Sequence, residues 1–160
     1  MTASVAVGDL DSLVGVPLGH SDWHTLDERR IRLFADATGD HQWIHVDADR
    51  AARSRFGGPI AHGHLTLALA PVVTAEIIEI TGVELMINHG VQRVRFPAPV
   101  RAGSDVRASG RLLDVRGRPH GLVEAVMRLD FEARMGGRTQ RVCTAETVTL
   151  LQPLPLGELR

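Results

Sequence analysis

The chain contains no lysine and no tyrosine, and its only cysteine is Cys143. One cysteine excludes an internal disulfide and any cysteine-rich metal site, which fits a reducing compartment. Without lysine, arginine is the only fixed cation that could meet a phosphate-bearing ligand. The formal net charge of −1 lacks the basic excess with which nucleic-acid binders displace counterions. Long hydrophobic runs are missing as well. The longest, Leu65 to Ala75, is too short to span a bilayer and contains Pro71. Met1 to Leu18 lacks the basic start and apolar stretch of a secretory signal. The expected location is therefore the cytoplasm.

What remains is a chain of 160 residues, 44% hydrophobic and 23% charged. That length and balance suit one folded domain over residues 1–160. Residues up to Leu18 show no clear period and read as peripheral. Thr25 and Glu28 have capping-box spacing, and Ile31, Phe34, Ala35 and Thr38 share one helical face. Gly39 stands where a left-handed residue closes that helix. Asp40 to Val46 reads as a loop, and Asp47 as the cap of a short helix from Ala48 to Arg53.

After the Gly57-Gly58-Pro59 turn, a second helix is predicted from about His64 to Ile80. It is closed by Gly82 and apolar on nearly every side. From Met86 onward the period changes to two. Strands are predicted at Val91–Phe96, Ser104–Val115, Leu122–Ala133 and Thr139–Leu151, with a hairpin at Gly136-Gly137. Val106, Ala108, Gly110 and Leu112 face inward on one strand. Val123, Ala125, Met127, Leu129, Phe131 and Ala133 do so on the next. One apolar helix followed by long antiparallel strands gives a two-layer α+β domain, the helix lying across a curved sheet. Gly110 marks a place where the helix can come close. An open sheet leaves edge strands exposed, so a homodimer is expected.

The chemistry concentrates between Phe34 and Leu65. An imidazole can accept a proton near neutrality, and a carboxylate can orient a water or shuttle its second proton. Asp40 and His45 supply the two groups, in either assignment of roles. Fully extended, they would stand roughly 16 Å apart, so the loop must fold back on itself. His62-Gly63-His64 opens the buried helix, where free amides carry partial positive charge. Gly63 has no side chain to keep a carbonyl oxygen from its N–H.

Gly39-Asp40-His41-Gln42-Trp43-Ile44-His45, with Ala51 six positions further on, resembles the signature of the R-specific enoyl-CoA hydratases. These are the MaoC-like dehydratases of the hot-dog fold. Phe56-Gly-Gly-Pro-Ile-Ala-His-Gly63 and Val94-Arg95-Phe96-Pro97-Ala98-Pro99-Val100 fit the same pattern. The resemblance implies a hot-dog homodimer in fatty acid metabolism. Its activity would be reversible hydration of a trans-2-enoyl-CoA to a (3R)-3-hydroxyacyl-CoA. Asp40 and His45 match the catalytic pair, and the Gly63 amide matches the donor to the thioester oxygen. Where the commoner signature has Asn-Pro this chain has Gln42-Trp43, which resembles the nodulation-protein-N-like branch. Gln42 can still bind substrate through its amide, and Trp43 stands at the acyl entrance. No metal or redox cofactor is implied; coenzyme A enters as part of the substrate.

Plainer readings exist for each residue. Asp40 alone is a turn or cap residue, and Gly63 alone a turn glycine. His41, His45, His62, His64 and Asp47 match no zinc spacing. Arg53, Arg55, Arg93 and Arg95 are candidates for coenzyme phosphates and equally for ordinary surface residues. Cys143 reads as a buried small side chain. An acyl-CoA thioesterase and a non-catalytic acyl-CoA-binding subunit are the alternatives on the same fold.

Overall fold

The computed structural model describes residues 2–155. Its main sheet is built from strands β2 (Pro17–His20), β3 (His24–Leu26), β5 (Val83–Arg95), β6 (Ser104–Gly117), β7 (Val123–Met135) and β8 (Arg138–Pro153). The spatial order is β2-β6-β7-β8-β5, and β3 continues the β2 edge along β6. All its pairings are antiparallel. Met135 pairs with Arg138 across Gly136-Gly137, whose φ angles are 55° and 78°. Two consecutive left-handed residues match the twist of a tight hairpin, which is why glycines stand there.

Alternation sets the buried face as the sequence foretells. Val106, Ala108 and Leu112 of β6 and Leu129, Phe131 and Ala133 of β7 are fully buried. The next position along each strand faces outward, where Arg107 meets Glu132 and Arg128 meets Asp130.

The helical layer departs from a single rod. Helix α4 runs Gly63–Leu67 and α5 runs Ala70–Ile77, and strand β4 (Ile78–Thr81) replaces the expected last turn. Pro71 cannot donate to a carbonyl one turn back, so the ladder is interrupted there. Ala68 and Leu69 keep nearly helical angles, so the chain bends between the two helices. The β-branched run after Glu76 favours extended backbone. It finds a parallel partner in β1 (Ala3–Ala6), with Ala3 opposite Ile78. The amino-terminal segment is thus part of the fold and not peripheral, and Leu10 in its 3-10 turn is fully buried. Nor is the helical layer covered on every side, since Val72 is 46% exposed.

Leu65, Leu69, Val73 and Ile77 carry the helical side of the core. The close approach at Gly110 is real. An ideal Cβ placed there would lie 3.2 Å from Ile77 Cγ2 and 3.4 Å from Met127 Sδ.

Candidate active site

Helix α1 (Glu28–Thr38) delivers the first site residue. Its cap is Asp27, whose Oδ1 accepts from Arg30 N at 2.7 Å. The expected box from Thr25 does not form, because β3 pairing places Thr25 opposite Asp105. There its hydroxyl donates to the Asp105 carboxylate. Gly39 closes the helix with φ 78°, its amide donating to Ala35 O. This turn points the chain toward the helical layer at Asp40.

The next stretch is not an open loop. Trp43–Val46 forms one helical turn, α2, behind Gln42. The Asp40 carboxylate accepts from Gln42 N at 3.3 Å, a local bond that helps begin the turn. Asp47 then caps α3 (Ala48–Ala52), as its position foretells, by accepting from Arg50 N. The Gly57-Gly58-Pro59 corner, with φ of 67° and 153° at its glycines, returns the chain alongside α2. There Ile60 N donates to Ile44 O at 3.0 Å, and Ala61 N donates to Val100 O.

That strap fixes the chemistry of His45. Its Nδ1 lies 2.6 Å from Ile60 O. A carbonyl only accepts, so Nδ1 carries the hydrogen and Nε2 presents a bare lone pair. Burial pushes the pKa of His45 below the usual histidine value, and the neighbouring His62 ring adds to that. The Ile60 bond and the Asp40 charge oppose the shift without cancelling it. The ring is therefore built to be a neutral base near pH 7.

His62 completes the cluster. It is 3% exposed, and its ring stacks on His45 with centroids 3.7 Å apart and planes 25° from parallel. Its Nε2 donates to the Asp40 carbonyl at 2.9 Å and stands 4.0 Å from Asp40 Oδ2. Asp40, His45 and His62 bring polar atoms within 4.8 Å of one another, a span one water can bridge.

His45 and Gly63 line one cavity of about 310 Å³ with Ile44, Phe96, Pro99 and Val142. Gly63 is the first residue of α4, so its amide has no carbonyl one turn earlier within the helix. Asp40 is not in the cavity wall; it borders the site from the solvent side, its side chain 55% exposed. Gln42 is exposed and makes no capping bond through its side chain. Arg50 lies over the Trp43 ring at 4.4 Å. The arginine candidates are dispersed among other partners. Arg93 pairs with the buried Glu146, Arg95 turns to its neighbour's carbonyl, and Arg55 lies over Phe56. Cys143 is buried, and burial pushes its thiol up to about 12, which removes it as a nucleophile. A larger cavity of about 610 Å³ lies between α5 and β5, away from this cluster.

Two contributions were not legible from the residues alone. The stacking of His62 joins positions far apart in sequence, and the Phe96 ring, 3.0 Å from where a Cβ on Gly63 would stand, is placed by where β5 ends. The one usable signal for His62 was its place immediately before the candidate donor glycine.

A long antiparallel sheet packed on a helical layer is the hot-dog architecture. The chain belongs to the MaoC-like dehydratase family: residues 9–129 match the family described as MaoC like domain. It is 46% identical over 143 residues to 3-hydroxyacyl-thioester dehydratase Z of Mycobacterium tuberculosis, covering 89% of this chain and 93% of that protein. It is 52% identical over 114 residues to nodulation protein N of Rhizobium meliloti, covering 70% of this chain and 71% of that protein. Among solved structures, it is similar to an unliganded R-hydratase from Pseudomonas aeruginosa. That match has a TM-score of 0.65 and 28% identity, covering 92% of this chain and 89% of that one. Among the described residues, no helix is long and apolar enough to cross a membrane.

Proposed function

We propose that the chain reversibly hydrates a trans-2-enoyl-CoA to a (3R)-3-hydroxyacyl-CoA. The observation that carries this reading is the Asp40–His45 pair beside the Gly63 amide, with His45 Nδ1 bonded to the Ile60 carbonyl and Nε2 left bare. A water bridged by Asp40 and His45 bonds through its oxygen to C3 of the enoyl group. One of its protons passes to His45 Nε2, and a proton returns from the acid-histidine pair to C2, so one whole water is added. Negative charge gathers on the thioester oxygen as C3 is attacked. The Gly63 N–H stabilises it there, as preorganised backbone donors do. Gln42 serves substrate binding at the entrance beside Trp43. Neither a metal nor a redox cofactor takes part; coenzyme A arrives with the substrate.

The same reading makes the protein a homodimer. β5 is a free edge of the sheet, and Leu85, Met86, Ile87 and Val91 along it are each between 45% and 49% exposed. An edge this long and apolar calls for a cover, and a second copy supplies it symmetrically.

The test is loss of the enone absorbance of crotonyl-CoA in the presence of the protein, with free thiol measured in parallel. Hydration bleaches the enone and liberates no thiol. Thiol release accompanying the loss would assign a thioesterase instead, and binding with neither change would assign a non-catalytic subunit.

A further inference from the structure

We propose that His62 is a positioning residue for the hydration site, tethering Asp40 by its main chain and holding the His45 ring by stacking. The inference rests on the function proposed above but is carried by contacts of its own.

Asp40 needs such a tether. Its side chain is more than half exposed. Among the described residues its remaining hydrogen bonds are local, from Gln42 N to its carboxylate and from its own amide to Thr38 Oγ1 at 3.4 Å. The bond from His62 Nε2 to its carbonyl is the link to a distant part of the chain. His62 itself is almost wholly buried, with Phe34 of α1 at 5.0 Å between centroids and His45 stacked on it. It also precedes Gly63 directly. One side chain therefore joins the helix that ends before the acid, the ring of the base and the start of the oxyanion donor.

The tautomer follows from the bonds. The Asp40 carbonyl requires the hydrogen on Nε2, and Nδ1 is buried with no partner among the described residues. The charged or titratable groups that face the ring are Asp40 and His45. Asp36 and His41, at the end of α1 and just beyond it, pair with each other at 3.0 Å, and His64 on its own helix turns to Phe96. His62 needs no contact with the reacting carbons to act in this way, because a misplacement of about 1 Å in a catalytic group can cost a hundredfold in rate.

The experiment compares His62→Phe and His62→Gln with wild type in crotonyl-CoA hydration. Phenylalanine keeps a flat ring against His45 and removes the donor. Glutamine places an amide N–H near the position of Nε2. The expected result for His62→Phe is a kcat lowered between about tenfold and a hundredfold, with KM changed by less than about threefold. His62→Gln should recover at least about threefold of that loss. Wild-type kcat in His62→Phe, or equal losses in the two variants, would overturn the tether. Nitrogen NMR of the wild-type protein tests it where a variant fails to fold. A proton on Nε2 of His62 together with one on Nδ1 of His45 supports the arrangement, and the opposite tautomer at His62 overturns it. Should wild type hydrate no enoyl thioester, the proposed reaction fails, while the tautomers still judge the contacts.

Discussion

Gly63 and Phe96 are in contact through a space that admits no side chain: an ideal Cβ on Gly63 would lie 3.0 Å from two atoms of the Phe96 ring. The glycine is not there for a left-handed backbone, since its φ is not positive. It is there because the ring covers it. Gly63→Ala should therefore destabilise the fold by about 1–3 kcal/mol, the usual cost of overpacking, and should weaken hydration as Phe96 is pushed into the cavity. In a double-mutant cycle by thermal unfolding, Phe96→Ala should relieve part of that cost. Strict additivity of the two substitutions would show that the contact does not matter.

Loss of either proton-transfer group should remove most activity, and loss of the exposed Asp40 carboxylate should cost little stability. Asp40→Asn and His45→Gln are each expected to lower kcat about 10²- to 10⁴-fold in the crotonyl-CoA assay. Melting temperature should barely move in Asp40→Asn, because that side chain is largely exposed. Unchanged rates in both variants would mean the site lies elsewhere.

The depressed pKa of His45 fixes the sign of a pH effect. A base that must be neutral loses activity on the acid side, so kcat/KM should fall with an apparent pKa below 6.5, the ordinary histidine value. Stability follows the same direction. The buried neutral ring contributes fully above 6.5 and loses its contribution as pH falls through the lower folded value. A rate profile whose acid limb lies above 6.5 would contradict the burial of this ring.

Gly110→Ala tests the contact between the helical layer and the sheet. The new methyl meets Ile77 at 3.2 Å, and Ile77 is only 1% exposed. The expected loss is about 1–3 kcal/mol in denaturant unfolding. In a double-mutant cycle Ile77→Ala, which removes the obstructing Cγ2, should return part of it.

A charge on the free edge tests the dimer. Ile87→Arg places a guanidinium on β5 where a second copy would pair, and sedimentation velocity should then show a monomer where wild type is dimeric. A wild-type protein that is monomeric at all concentrations would remove the edge pairing from the functional account.

Patterns repeated along one strand or turn were open to reading before any coordinates. Strict alternation gave the inward faces of β6 and β7, and the paired glycines gave the hairpin. The caps Gly39 and Asp47 followed from backbone rules that act over three or four residues. What escaped were features decided between distant segments. β3 claimed Thr25 for a sheet, so Asp27 became the cap. β1 offered a parallel partner to residues 78–81, so an apolar helical pattern ended in a strand. At the candidate site, Asp40, His45 and Gly63 were visible from their spacing and family resemblance. The partner of His45 was not, because the Ile60 carbonyl is a backbone atom and carries no sequence signature. His62 was hidden for a related reason: its neighbours are set by how α1, α2 and α4 dock.

The pairing of Ala3–Ala6 with Ile78–Thr81 also constrains how the molecule assembles. During synthesis the first strand must wait, unsatisfied, until residues 78–81 have emerged. Its closure then fixes the exit of α5, outside the cavity that His45 and Gly63 line. Such a distant latch raises contact order and slows folding.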